Sequence, residues 1–294
     1  MTPYARITNR ILAALEQGVR PWVQPWTSAH AAGPVSRPLR HNGLPYAGIN
    51  VLALWCAAAE RGYAAPVWMT FRQALELGAH VRKGETGSPV VYASSFTAED
   101  GDESDGGETV ERQVRYLKSY TVFNVEQIEG LPAQYTAQAA PVPNPEARIA
   151  AGERFAAGTG AVIRHGGDRA YYAPHADIVQ MPPFEAFRDA CSYYATLLHE
   201  LTHATGHPTR LSRNLRNRFG DEAYAAEELI AEIGAAFLCA DLGIALEPRD
   251  DHASYLAVWL KVLRADSRAI FTAAAQAQRA ADYLHALNSV QEAA

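Results

Sequence analysis

The pentapeptide His199-Glu200-Leu201-Thr202-His203 constrains this 294-residue chain more than any other feature. On an α-helix, residues i and i+4 share a face one turn apart, so two imidazoles at 199 and 203 can meet on one ion. Glu200 is rotated by one position and can reach a water on that ion without ligating it. Zn²⁺ with an open position acidifies its water, and a neighbouring carboxylate can take the proton. The spacing therefore predicts a zinc site of metallopeptidase type, with His199 and His203 as ligands and Glu200 as general base. Chance supplies roughly 0.02 such motifs in a chain of this length and composition. The context agrees: Pro182-Pro183 precede a run predicted to be helical over about 184–206, and strand-like ADIVQMPP lies upstream.

A catalytic zinc wants a third protein ligand. Cys56, Cys191 and Cys239 are widely spaced, with no CxxC pair. They fit neither a disulfide framework nor a cysteine zinc site. His207 follows at i+4 from His203, but Gly206-His207-Pro208 reads as a helix stop that takes it off the face. Thr209 stands where a metzincin would have histidine. The better source is the predicted helix over about 222–241, which is mostly small or apolar and so predicted to be buried. Buried carboxylates need a partner or a metal. Glu228 and Glu232 share a face with Ala235, whose small side chain would admit the metal helix. Glu228 is expected as third ligand and Glu232 as the acceptor for a ligand histidine's other ring nitrogen. The reverse assignment stays open. Glu227, on another face, reads as a solvated charge near the helix N-terminus.

With 48% hydrophobic and 20% charged residues, the chain can bury a real core. The first residues, MTPYARITNRILAALEQG, carry charge throughout and contain no signal-peptide core. No later run is long enough for a membrane span, so no membrane partner and a cytoplasmic setting are expected. Net charge is −6, yet residues 1–95 hold nine Lys/Arg against four Asp/Glu. Residues 96–113 then hold seven acids and one Arg, and read as a solvated mobile loop between strands at 88–95 and 114–124. Helices are predicted over 4–18, 48–61, 71–77 (Thr70 as N-cap) and 146–157, with two more in 253–289. Short strands are predicted near 161–164, 170–173 and 177–180. The proline-rich segment 136–147 is a candidate linker. It divides an N-terminal unit, 1–135, from a C-terminal unit, 148–294. Strands followed by helices within one unit give an α+β class.

The N-terminal unit interleaves aromatic and basic residues: Pro21-Trp22…Pro25-Trp26, Tyr46-Ala-Gly-Ile-Asn50, Trp68-Met-Thr-Phe71, Val81-Arg82-Lys83-Gly84-Glu85 and Tyr120-Thr-Val-Phe123-Asn124. Stacking surfaces beside cations suit single-stranded nucleic acid, because every base has a π-face and every phosphate attracts positive charge. Trp26, Arg82, Lys83, Tyr120 and Phe123 are the candidate contacts, although core packing also accounts for most of the tryptophans. The ordered run of PWxxPW, YxGIN, GYxxPxWxTFxQAxxLG, VRKGE, YTVFNxxQIEGLP, HELTH and EELxAEIGAAFL resembles the ArdC-type antirestriction proteins of conjugative plasmids, from about Ile7 to about Tyr283. The resemblance implies an α/β single-stranded-DNA-binding domain followed by a zincin-like metallopeptidase domain, and protection of incoming plasmid DNA from host restriction. Three readings follow. One is a DNA-binding metallopeptidase acting on a host protein such as a restriction component. Another is a DNA-shielding protein with a structural metal. The third is a repair protease acting on protein–DNA crosslinks. Zn²⁺ suits two histidines and a carboxylate, and Mn²⁺ or Fe²⁺ could also occupy them.

Overall fold

A computed structural model describes residues 2–22, 36–100, 110–136, 145–215, 222–244 and 253–292. Helix α1 (Pro3–Glu16) is capped by the Thr2 hydroxyl and turns Ile7, Ile11, Leu12 and Leu15 inward. This is the predicted apolar stripe. Helix α2 (Ile49–Arg61) is buried along most of its length and ends where Gly62 takes the left-handed conformation, φ 71°. Asn50 from the YAGIN motif gives its amide to Val91 O and takes Val91 N–H, at 2.8 Å each. That side chain clamps a sheet strand onto α2.

The larger sheet has the order β1-β2-β5-β4. Its strands are β1 (Leu39–Arg40), β2 (Val67–Met69), β4 (Ser88–Asp100) and β5 (Val110–Asn124). Strands β4 and β5 pair in one antiparallel ladder from Ser88↔Val122 to Asp100↔Val110. The ladder enters the acidic segment expected as a loop over 96–113, so that expectation is corrected at both ends. Residues 101–109 lie outside the described residues. The extension has a simple cause: ladder bonds use backbone groups and tolerate polar side chains. Helix α3 (Phe71–Glu76) carries a reciprocal capping box between Thr70 and Gln73. Strand β3 (His80–Val81) pairs with β6 (Ile128–Glu129) beside it.

Of the linker, residue 136 ends helix α4 (Ala133–Thr136), residues 137–144 lie outside the described residues, and 145–147 already belong to helix α5 (Pro145–Gly158). A small sheet, β7-β9-β8, follows from β7 (Val162–His165), β8 (Tyr171–Ala173) and β9 (Ile178–Met181). Helix α6 (Ala190–Ala204) carries HELTH. It starts later than predicted because the Asp189 carboxylate caps it, accepting Ser192 N–H at 2.7 Å. Helices α7 (Glu222–Leu242), α8 (Ala253–Ala265) and α9 (Ala269–Glu292) follow. Among the described residues no helix is long and apolar enough to cross a membrane.

One hydrophobic core runs through both halves. It holds α1 and α2 residues together with α6, α7 and α9 residues. Trp22 meets Trp259 edge-on at 6.0 Å, and Trp55 meets Phe237 at 5.9 Å. Arg37 grips Asp241 with two 2.9 Å bonds and lies over the Phe237 ring. Phe237 and Asp241 belong to α7, so the N-terminal elements pack directly on the helix that carries Glu228.

Candidate metal centre

Helices α6 and α7 approach closely because of one residue. A Cβ added at Gly234 would stand 2.5 Å from Thr202 Cγ2. Gly234 makes this close contact, next to the buried Ala235 that was expected to admit the metal helix. Thr202 lies between the two histidines in the motif, so this approach faces the glutamates of α7 toward them.

His199 Nε2 and His203 Nε2 are 3.1 Å apart. Glu228 closes the triangle, with Oε2 3.5 Å from His199 Nε2 and Oε1 3.4 Å from His203 Nε2. These donor atoms lie within 4.8 Å of one another and could hold a metal ion. The donor set fits a divalent cation, with two imidazole nitrogens and a carboxylate converging on one buried point. Burial alone would favour neutral His203, but hydrogen bonds to Glu227 and Glu228 raise it to about 10. Burial likewise opposes charge on Glu228, yet both imidazoles hold it far below the usual carboxylate range.

The back sides of the histidines meet further acids. Glu232 Oε2 stands 3.8 Å from His199 Nδ1, on the side away from Glu228. Of the two arrangements open from the sequence, the geometry puts Glu228 at the Nε2 atoms and Glu232 behind. Glu227 is buried, 8% exposed. Its Oε1 is 3.2 Å from His203 Nδ1. This corrects its reading as a solvated charge. The cause is Arg213, buried itself, which bonds both Glu227 oxygens as well as Thr205 Oγ1 and Thr202 O. An acceptor on Nδ1 selects the tautomer whose Nε2 lone pair faces the ion. Glu200 lies beside His199 and is 3% exposed.

Arg210, Arg213, Arg216 and Arg218 form a basic cluster in the sequence after the motif, and the two that are described serve the structure. Arg210 donates to Ala204 O at 2.7 Å and pairs with Asp177, tying down the end of α6. Arg216 and Arg218 lie outside the described residues. His207 Nδ1 is engaged with Thr209 Oγ1 at 2.8 Å, beyond the helix end.

The N-terminal candidates are dispersed. Trp26 lies outside the described residues. Arg82 is exposed and pairs with Glu85 at 2.7 Å, and Lys83 is exposed beside it. Phe123 is half-buried against the same small apolar cluster as Val81, and its ring meets Phe71. Tyr120, 40% exposed, sits on another part of the hairpin, opposite Val90. Several motif residues are occupied with turns: Gln127 closes a capping box with Asn124 and donates to Glu85 Oε2 at 2.8 Å.

Residues 1–123 match the N-terminal domain of anti-restriction factor ArdC, and residues 150–276 match the zincin-like metallopeptidase domain. Protein y4eC of Sinorhizobium fredii (strain NBRC 101917 / NGR234) is 46% identical, over 97% of this chain and 92% of that protein. A DNA primase TraC of Escherichia coli is 39% identical over 98% of this chain, which spans only 27% of that longer protein. A crystal structure of the antirestriction ArdC protein from the R388 plasmid, metal-free, is similar with TM-score 0.82 and 46% identity over 99% of each chain. The Mn(II)-bound structure of the same protein gives TM-score 0.80 and 44% identity, over 98% of this chain and 99% of that one. The chain therefore belongs to the ArdC antirestriction family, with an ArdC-type N-terminal domain joined to a zincin-like metallopeptidase domain.

Proposed function

We propose that this chain protects incoming conjugative-plasmid DNA from restriction, engaging single-stranded DNA with its N-terminal half and hydrolysing a host protein, such as a restriction component, at the metal centre. The observation that carries the reading is the convergence of His199, His203 and Glu228, with the buried Glu200 next to His199 in the sequence. His199, His203 and Glu228 would hold Zn²⁺ or Mn²⁺, the latter supported by the Mn(II)-bound relative. The ion, when bound, supplies a Lewis acid that acidifies water and polarises a peptide carbonyl. Glu200 takes the proton from the attacking water and returns it to the leaving amine. Glu227 and Glu232 orient the imidazoles, and Arg213 keeps Glu227 charged and in place.

A second reading, in which the ion is structural and the N-terminal half shields DNA, draws on the burial of His199 and Glu200, 2% and 3% exposed.

Metal quantification combined with mating tests the first reading. Structural zinc centres bind with about 10–16 kcal/mol over four ligands, so removing one ligand costs roughly 3 kcal/mol, or about a hundredfold in affinity. Glu228→Ala is expected to lose this much and to give no protection when a plasmid is mated into a restricting recipient. Glu232→Ala should weaken binding by less. Full protection from a metal-free Glu228→Ala protein would sink the proposal. If only Glu232→Ala empties the centre, the two acids exchange roles.

For DNA, fluorescence anisotropy against salt is the measurement. Each cation removed from a single-strand site lowers the salt slope by roughly 0.7. Lys83→Ala should show that drop. Arg82→Ala should show less, because Glu85 already neutralises Arg82. Tyr120→Ala should cost about 1–3 kcal/mol through lost stacking. Equal affinity for duplex and single strands counts against the stacking account.

A further inference from the structure

Both acids behind the histidines end on arginines, and the two arginines come from different halves of the chain. Glu227 ends on Arg213, in the loop after α6. Glu232 ends on Arg20, just past α1. Arg20 Nη1 is 3.1 Å from Glu232 Oε1, with side chains 16% and 6% exposed. The other oxygen, Oε2, is the one that stands 3.8 Å from His199 Nδ1. Two residues beyond Arg20, Trp22 is fully buried against Trp259, which fixes where this segment runs.

We propose that Arg20 is a positioning residue of the metal centre: it holds Glu232 with one oxygen on the guanidinium and the other toward His199 Nδ1, so that the centre depends on a side chain from the N-terminal half. This rests on the reading of His199, His203 and Glu228 as ligands. Glu232 is buried, and a buried carboxylate keeps a fixed place only when its charge is compensated. Arg20 is a compensating cation on the side away from the ligand atoms, and its planar fork fixes direction as well as charge. A carboxylate behind a ligand imidazole sets the ring's orientation, and losing such a partner weakens metal binding about 10- to 100-fold. Arg20 reaches the same carboxylate and so acts through it on the ring.

The competing account is that Arg20 merely staples the two halves together. Arg37 provides the control. It also joins the N-terminal half to α7, through Asp241. Asp241 lies nine residues beyond Glu232, about 13 Å further along the helix. Loosening the union there leaves the histidines' own partners in place.

The test uses the full chain and Mn²⁺ alone, with free Mn²⁺ followed by electron paramagnetic resonance and Co²⁺ visible absorption recorded in parallel. Arg20→Ala is expected to weaken Mn²⁺ binding about tenfold or more and to shift the Co²⁺ bands. Arg20→Lys should recover part of the affinity. Arg37→Ala should lower the melting temperature while leaving Mn²⁺ affinity and the Co²⁺ spectrum as in the wild type. Wild-type affinity and spectrum in Arg20→Ala overturn the proposal, as does an equal loss in Arg37→Ala. If Arg20→Ala does not fold, Arg20→Gln is judged by the same criteria. His199→Ala separates the two levels of the argument: if that variant binds Mn²⁺ as the wild type does, the ligand assignment itself falls, whatever Arg20 does.

Discussion

Glu200→Gln is expected to keep its metal at the wild-type level and to lose protection in a restricting recipient. The substitution preserves shape and removes only the ability to take a proton. Positioned acid–base groups contribute about 10²–10⁴ to rate, so hydrolysis should fall by that factor. Glu200 is not among the three converging donors, which is why the ion should stay. Glu200 is also buried beside His199, so a neutral amide there removes a charge and little packing. Metal content by elemental analysis and transfer frequency by mating are the two readouts, and they must separate. Retained metal with undiminished protection overturns the peptidase reading and leaves the shielding one. Loss of metal in Glu200→Gln would mean that Glu200 supports the centre itself, contrary to the role assigned here.

The centre was legible to unequal depth. HELTH could be read from local spacing, since i, i+4 geometry needs no tertiary information. Glu228 could be read because an acid in an otherwise apolar helix demands a partner. The status of Glu227 could not, because the Arg213 that keeps it charged inside the protein lies across a loop. Arg20 was invisible for the same reason at greater distance, 212 positions from Glu232. The role of Gly234 in the close approach of α6 and α7 could not be read, because it takes the position of Thr202 to show that an added Cβ would collide there. Helices long enough to show a 3.6-residue period were placed well from sequence. The two- and three-residue strands β1, β2, β3 and β6 are too short to show any period. In the N-terminal half the motifs read for stacking partly serve the backbone. Asn50, Gln73 and Gln127 hold a strand and two caps.

Trp55→Ala is expected to destabilise the whole chain and not its N-terminal half alone. Trp55 is 2% exposed, donates Nε1–H to Ser36 O at 3.1 Å and packs against Phe237 of α7. Truncating a buried tryptophan leaves a cavity and costs about 3–5 kcal/mol. For a cooperative unit of this size the entropy of unfolding is about 2.1 cal/mol/K per residue, so the midpoint should fall by roughly 5–8 °C. The discriminating observation is the number of transitions. A proline-rich stretch at 136–147 argues for two units that unfold separately. The core argues otherwise, because Trp55, Phe237, Trp22 and Trp259 belong to one apolar cluster. Arg37, 7% exposed, would be left as a buried charge if α7 separated from the N-terminal elements. Coincident melting by far-ultraviolet circular dichroism and tryptophan fluorescence is therefore expected in both wild type and variant. Two transitions, with only the lower one moved by Trp55→Ala, would show that the halves fold independently. In that case the metal centre would survive the first transition, whereas a shared core requires bound Mn²⁺ to raise the single midpoint and to be released with it.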